Sequence, residues 1–128
     1  MEEFSMKKTF EKRHTTVHRG DIFYVNLGKP DGTSRQAGVR PVVICSNKVC
    51  NNHSPIITVC SISTSRTKHR IPTHIPLLAS ETGLSKDSIC LCEQPISISK
   101  TDLLEYVTTL SEEHMERISD GLRIQLAL

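Results

Sequence analysis

Short apolar and β-branched runs dominate the middle of the chain. In residues 17–27, the segment Phe23-Tyr24-Val25-Asn26-Leu27 places an apolar residue at every second position, which predicts a strand with one apolar face. Residues 41–46 and 56–62 are continuous β-branched runs, short enough to favour buried core strands over helices. The polar residues 51–55 between them are typical of a turn.

Three further strands are predicted downstream. Residues 71–77 contain two prolines, which predicts an edge strand because proline cannot donate to a strand ladder. Residues 88–94 form another strand that Pro95 ends, with the alternation resuming at two isoleucines beyond it. Residues 103–110 add a short strand.

The period changes to that of a helix near the C-terminus. Ser111 is a suitable N-cap, and apolar residues recur from there at spacings of three and four: Met115, Ile118, Leu122 and Leu126. Gly121 lies inside this helix of about 111–126, which indicates close packing because glycine costs about 1 kcal/mol there relative to alanine. The predicted fold is mainly β, a small barrel with a C-terminal helix packed on it.

Two segments lie outside this regular pattern. Residues 28–41 hold three of the six glycines and two of the six prolines, which predicts a long mobile loop of the kind that is often functional. Residues 1–16 mix charges of both signs without alternation, and we expect a helical or disordered N-terminal extension. The domain itself is predicted over residues 17–128.

Length and charge fit one domain with an uneven electrostatic surface. The chain has 128 residues, too few for two independent cores. Its net charge is only +2, but residues 1–80 carry +7 and residues 81–128 carry −5. This asymmetry is compatible with a polyanionic partner on one face.

Composition also indicates the compartment. No apolar run reaches the roughly 20 residues that cross a bilayer, and the N-terminus lacks a signal-peptide core, so we expect a soluble, cytoplasmic protein with no membrane contact. The five cysteines are an odd number and lie mostly in apolar runs, which favours reduced thiols. Cys90 and Cys92 point the same way on a strand, yet paired C-x-x-C spacing is absent, and we predict no metal and no cofactor.

Small hydroxyl and basic side chains accumulate around the predicted loop. They are Arg35, Gln36 and Arg40 on the loop, the hydroxyls from Ser61 to Ser65, and Arg66, Lys68, His69 and Arg70 beyond. Guanidinium groups beside hydroxyls can hold phosphate oxygens and base edges. On composition alone, an ordinary solvated loop beside a strand end is the favoured explanation of this cluster.

Four blocks of sequence resemble the MazF/PemK family of toxin endoribonucleases. They are residues 18–27 (HRGDIFYVNL), residues 38–44 (GVRPVVI), residues 72–75 (PTHI) and the pair Glu93-Gln94, in the family's order and spacing. The resemblance spans roughly residues 17–128. It implies a small SH3-like barrel of the MazF/PemK/CcdB type, acting as a homodimer. It also implies metal-independent cutting of single-stranded RNA at short motifs, and inhibition by a cognate antitoxin whose disordered tail occupies the RNA groove.

The resemblance places the family's catalytic arginine on Arg40 and its catalytic threonine on Ser63, with Thr64 next to it. Serine keeps the hydroxyl but loses the methyl that restricts χ1. Strand alternation turns Thr64 to the opposite face, so Ser63 is the favoured catalytic hydroxyl. An arginine is a poor proton donor, so we assign Arg40 mainly transition-state stabilisation and leave the proton carrier open between His69 and His74.

Few aromatic residues are available for base stacking, so hydrogen bonding should dominate recognition. The candidate RNA-binding residues are Arg35, Gln36, Asn47, Ser65, Arg66, Lys68, Glu93 and Gln94. Two other functions remain open at this stage. One is a binding module of the same fold that does not cut RNA; the other is a gyrase poison like CcdB, although the chain lacks that toxin's Trp-Gly-Ile end.

Overall fold

Residues 17–64 and 71–128, which the computed structural model describes, form six strands and three helices. The strands are β1 (Asp21–Asn26), β2 (Val39–Ile44), β3 (Ile56–Ser63), β4 (His74–Leu77), β5 (Ser88–Ser99) and β6 (Leu103–Thr109). The helices are α1 (Lys48–His53), α2 (Ala79–Thr82) and α3 (Glu112–Leu126), with a 3₁₀ turn at Lys100–Asp102. The predicted extension 1–16 lies outside the described residues.

All strand pairs are antiparallel, in the order β4-β5-β3-β2-β1-β6. The predicted class of strands followed by one terminal helix is confirmed. The predicted barrel closure is not found in the described part of the chain, where β4 and β6 are the two edges of the sheet. β4 has four residues and contains Pro76, so it has little capacity for a second ladder, and its predicted edge position is confirmed.

Both faces of the sheet are buried, which explains the continuous β-branched runs. One face, the helix face, packs Val43, Cys60 and Ile62 against Met115 and Ile118 of α3. The other, the loop face, carries the alternate residues of the same strands: Phe23, Val25, Val42, Ile44, Ile57, Val59, Ile98 and Leu103. Both predicted core runs therefore lie in the centre of the sheet.

α3 begins where the sequence predicts. The side chain of Ser111 accepts a hydrogen bond from the His114 amide, and Met115, Ile118 and Gly121 are buried. Leu126 is 54% exposed, so the buried stripe ends before the last predicted position. Within the described ranges, no helix has the length and apolar character needed to cross a membrane.

Gly121 marks the closest approach of α3 to the sheet, as its position in the helix predicts. A Cβ at this position would lie 2.9 Å from Cys92 Sγ and 3.3 Å from Ile75 Cδ1. We expect Gly121→Val to lower the free energy of unfolding by about 1–3 kcal/mol, because overpacking forces the neighbours apart. Urea unfolding measures this, with the exposed Gln125→Val as a control for helix propensity. Equal stability of the two variants would contradict the close packing.

β5 is irregular in its middle. Cys60 pairs with Pro95 but Ile62 pairs with Cys90, so several residues of β5 bulge opposite Ser61. β5 continues through Pro95 instead of ending there, because a proline at a bulge forfeits no ladder hydrogen bond. The bulge carries Glu93 and Gln94.

Candidate nucleic-acid interface

The sheet brings Arg40 and Ser63 together. β2 pairs with β3 as far as Val42 and Ser61, and Arg40 and Ser63 lie two residues beyond that pair, at the same end of the two strands. Alternation from Val42 and Ser61 puts both side chains on the loop face.

The two side chains differ in exposure. Arg40 is exposed, and its Nε donates to the carbonyl of Ala37 at 2.9 Å, which orients the guanidinium and leaves its terminal nitrogens to meet an anion. Ser63 is 6% exposed at the end of β3. Thr64 is exposed and lines a separate cavity beside α2, with Lys86 and Asp87, so the structure does not bring it to Arg40.

A cavity of about 410 Å³ opens on the loop face beside these residues. It lies in the size range of small-ligand pockets. Four of the predicted RNA-binding residues line it: Arg35, Gln36, Glu93 and Gln94. Its remaining lining is Leu27, Lys29, Asp31, Ala37, Ser61, Pro95 and Ile96. Ser61 connects the cavity to Ser63, since both project from the same face of β3.

Two neighbouring side chains hold the carboxylate of Glu93 in place on the side away from the cavity. Oε2 lies 2.7 Å from His74 Nε2, and Thr73 Oγ1 donates to Oε1 at 3.4 Å. The side chain of His74 is 8% exposed, against 25% for Glu93. His74 Nδ1 is buried and has no hydrogen-bond partner among the described residues. His74 therefore faces Glu93, and Glu93 faces the cavity.

Gln94 fastens the loop to the sheet. Its Oε1 accepts from the Gln36 amide at 3.0 Å, and its Nε2 donates to the Ser34 carbonyl at 3.2 Å. The loop ends earlier than predicted, because β2 begins at Val39 and backbone hydrogen bonds join Gly28 to Gly38. It is a hairpin loop with two tethers; its mobility stays a prediction.

The cation of Arg35 is partly neutralised within the loop. Its Nη2 lies 2.6 Å from Asp31 Oδ2. Hydrogen bonds from Thr33, assisted by the charge of Arg35, lower the pKa of Asp31, so this carboxylate is anionic at neutral pH. Arg35 therefore presents less net charge to a phosphate than Arg40.

The remaining predicted residues lie elsewhere. Asn47 lies beyond the opposite end of β2 from Arg40, where its side chain accepts from the Cys50 amide and caps α1. This capped helix replaces most of the predicted turn 51–55. Four predicted residues lie outside the described part of the chain: Ser65, Arg66, Lys68 and His69.

Sequence reasoning missed three residues that shape the cavity. Lys29 and Asp31 line it from the loop, and Thr73 holds Glu93. Two signals in the sequence point to these residues. Lys29 and Asp31 are charged residues on a glycine-rich loop, and Thr73 directly precedes His74.

Comparisons with known proteins identify the family of the chain. Residues 18–126 match the family described as the PemK-like, MazF-like toxin of type II toxin–antitoxin system. The chain is 38% identical over 112 residues to the endoribonuclease EndoA of Bacillus subtilis, covering 88% of this chain and 96% of that protein.

Solved structures share the fold at lower identity. An endoribonuclease in complex with its cognate antitoxin, from Mycobacterial species, superposes with a TM-score of 0.72 at 22% identity, covering 88% of this chain and 97% of that one. MazF from Deinococcus radiodurans superposes with a TM-score of 0.71 at 16% identity, with the same coverage of 88% and 97%.

Proposed function

Because the chain belongs to the PemK-like, MazF-like toxin family of type II toxin–antitoxin systems and is an endoribonuclease, we propose that it cleaves single-stranded RNA at a short sequence motif without a metal ion. The observation that carries this proposal is the pairing of β2 with β3, which puts Arg40 and Ser63 at the same end of the two strands, two residues from Ser61 in the cavity lining.

The proposed reaction is attack of a ribose 2′-hydroxyl on its own phosphate. The 2′-hydroxyl gives up its proton as the P–O2′ bond forms, the P–O5′ bond breaks as the leaving 5′ oxygen takes up a proton, and the products carry a 2′,3′-cyclic phosphate and a 5′-hydroxyl. This chemistry restricts the substrate to RNA, because DNA has no 2′-hydroxyl. It needs positioning of the attacking oxygen and neutralisation of the charge that builds on the phosphoryl oxygens.

Arg40 meets the electrostatic requirement. Its guanidinium is exposed and oriented by the Ala37 carbonyl, and two terminal nitrogens can bond phosphoryl oxygens bidentately. Ser63 holds a phosphate oxygen or orients the attack from the neighbouring strand. His74 is engaged with Glu93, so proton transfer through this residue would pass by way of the Glu93 carboxylate.

The cavity is suited to an unstacked base. Glu93 offers a fixed acceptor and Lys29 a donor, and amide groups from Gln36 and Gln94 lie alongside. Base edges in single-stranded RNA are read by such donor and acceptor sets. We assign sequence preference to this cavity and catalysis to Arg40 and Ser63.

Glu93→Gln tests that division of roles. The amide keeps the shape of the side chain but replaces one acceptor by a donor, so we expect a changed motif at the cut ends and about a 10-fold or greater loss at the wild-type motif. Sequencing of cut ends measures both. His74→Asn should shift the preference in the same direction, since it removes the group that orients the carboxylate. Loss of cleavage at every motif, with a limb missing from the pH–rate profile, would instead make Glu93 a proton carrier.

We further propose that a cognate antitoxin blocks the loop face, that the protein acts as a homodimer, and that it works in the cytoplasm, where mRNA is translated. A relative with the same fold was solved with its cognate antitoxin. Lys29, Arg35 and Arg40 offer positive charge around the cavity to an acidic, disordered antitoxin tail as well as to RNA.

The deciding experiment is incubation of the purified protein with a long, unstructured RNA in EDTA, with every cut end mapped. Cuts at one recurrent motif that yield 2′,3′-cyclic phosphate ends would support the proposal. A folded protein that binds antitoxin but leaves RNA intact would favour the alternative of a binding module.

A further inference from the structure

Three cysteine sulfurs meet in the core on the face of the sheet away from the cavity. Cys60, Cys90 and Cys92 are buried, and their Sγ atoms all lie within 4.8 Å of one another. The Cys90 and Cys92 sulfurs are 4.0 Å apart.

The strand geometry dictates this meeting. Cys90 and Cys92 are two residues apart on β5, so both project to the helix face. Cys60 projects to the same face from β3, because Ile62 pairs with Cys90 and Cys60 lies two residues from Ile62. Residues 60 and 90 are far apart in sequence, which is why cysteine spacing alone did not predict a cluster.

α3 covers the cluster on the helix face of the sheet. Cys92 Sγ lies 3.7 Å from the Ile118 carbonyl oxygen. Gly121 leaves the room that the Cys92 sulfur occupies, since a Cβ there would be 2.9 Å from it. The apolar residues of the same core cluster include Ile62, Ile75 and Met115.

A fourth sulfur stands at the edge. Cys45 is half-buried and packs against the same core, outside the group of three sulfurs that lie within 4.8 Å of one another. Cys45 is therefore the candidate for a fourth ligand, and its partial exposure offers a path from solvent. Cys50, the fifth cysteine, is exposed on α1, outside the cluster.

The distances between the three sulfurs are close to those that a tetrahedral zinc site requires. Zinc–sulfur bonds of about 2.3 Å in a tetrahedron put the sulfurs about 3.8 Å apart. Sulfurs already within 4.8 Å of one another reach that spacing by shifts of less than about 1 Å. Isolated buried thiols are common core residues, but three converging on one point supply the thiolate set that soft metal ions prefer.

We propose that Cys60, Cys90 and Cys92 bind one thiophilic d¹⁰ metal ion, either Zn²⁺ with Cys45 as the fourth ligand or Cu⁺ with the three buried thiolates alone. The ion joins β3 to β5 beneath α3 and stabilises the fold. It takes no part in RNA cleavage, because these cysteines and Arg40 project from opposite faces of the sheet.

Binding must displace protons. A metal ion binds the thiolate, and its apparent affinity should therefore increase with pH.

The test loads the reduced full-length protein with Zn²⁺ or Cu⁺ in separate samples under anaerobic conditions. Bound metal is counted by mass spectrometry after gel filtration, and the thermal midpoint is recorded. We expect one ion per chain and a rise in Tm of about 10 °C when the free ion is about 100 times its Kd. Absence of retained metal in both samples would overturn the proposal.

Variants locate the ion. Cys92→Ala should lose the retained metal and the rise in Tm, while Cys50→Ala, the matched control, should keep both. Cys45→Ala should abolish retention of Zn²⁺, which needs the fourth sulfur. The same variant should still bind Cu⁺ through the three buried thiolates. Equal loss in Cys50→Ala and Cys92→Ala, or retention in Cys92→Ala, would overturn the assignment.

A second measurement avoids variants that fail to fold. Addition of Co²⁺ to the wild-type protein should produce thiolate-to-cobalt charge-transfer absorption that Zn²⁺ then removes, and its absence would contradict the four-cysteine site. RNA cleavage, measured in buffer without a chelator, should be equal for loaded and metal-free protein. The metal-binding measurement and the cleavage assay therefore test the metal site and the ribonuclease activity independently.

Discussion

Arg40→Ala is expected to lower kcat for RNA cleavage by about 10²–10³-fold, the loss typical of removing one group that stabilises transition-state charge. Arg40 is exposed on the loop face, its guanidinium is oriented by the Ala37 carbonyl, and Ser63 lies at the same end of the neighbouring strand. KM should change much less, because the extra charge on the phosphoryl oxygens is absent from the bound substrate and builds only in the transition state, as the 2′ oxygen attacks phosphorus. Single-turnover cleavage of one short RNA separates the two parameters.

Two controls make this result specific. Arg40→Lys keeps the charge but loses bidentate bonding, so its rate should fall between those of wild type and Arg40→Ala. Arg35→Ala removes an exposed arginine that Asp31 already pairs, so it should cost less than about 10-fold, mainly through KM. Wild-type kcat in a folded Arg40→Ala protein would remove Arg40 from the mechanism.

The sequence predicts the sheet well because its signals are local. The period-two alternation in β1, the β-branched runs of β2 and β3 and the helical period of α3 each report burial within a few residues. Barrel closure is different, because it depends on whether two edge strands reach one another, and Pro76 lies in a four-residue edge strand.

Only part of the candidate site could be predicted from the sequence. Arg40 and Ser63 follow from family resemblance, and the pairing of β2 with β3 puts them at the same end of the two strands. The β5 bulge was not predictable, because Pro95 reads locally as the end of a strand. Glu93 and Gln94 owe their placement to that bulge. Asn47 shows a different limit of local signals: its side chain caps a helix that the turn signal at residues 51–55 concealed, and its role in base recognition stays a prediction.

The cysteine cluster was missed for a related reason. Metal-ligand spacing rules describe ligands close together in sequence, whereas Cys60 meets Cys90 and Cys92 across two strands. Only the pairing of β3 with β5 places the three sulfurs on the same face.

Ser63→Ala is expected to reduce the cleavage rate by about 10²-fold, with Ser63→Thr restoring the wild-type rate or exceeding it. The hydroxyl is the group that matters, because Ser63 lies at the same end of the two strands as Arg40 and is the last residue of β3. Threonine keeps that oxygen and adds the methyl that confines χ1, so the hydroxyl spends more of its time in one orientation.

In the threonine variant, a loss of stability from crowding of the buried side chain can oppose the gain in rate. Ser63 is only 6% exposed, so the added methyl must fit within the existing packing, and unfolding midpoints of both variants are needed beside the rates. Thr64→Ala is the matched control, since Thr64 faces a different cavity and its loss should leave the rate within about 2-fold of wild type. A large loss in Thr64→Ala together with wild-type activity in Ser63→Ala would transfer the catalytic hydroxyl to Thr64, which requires a strand end that departs from simple alternation.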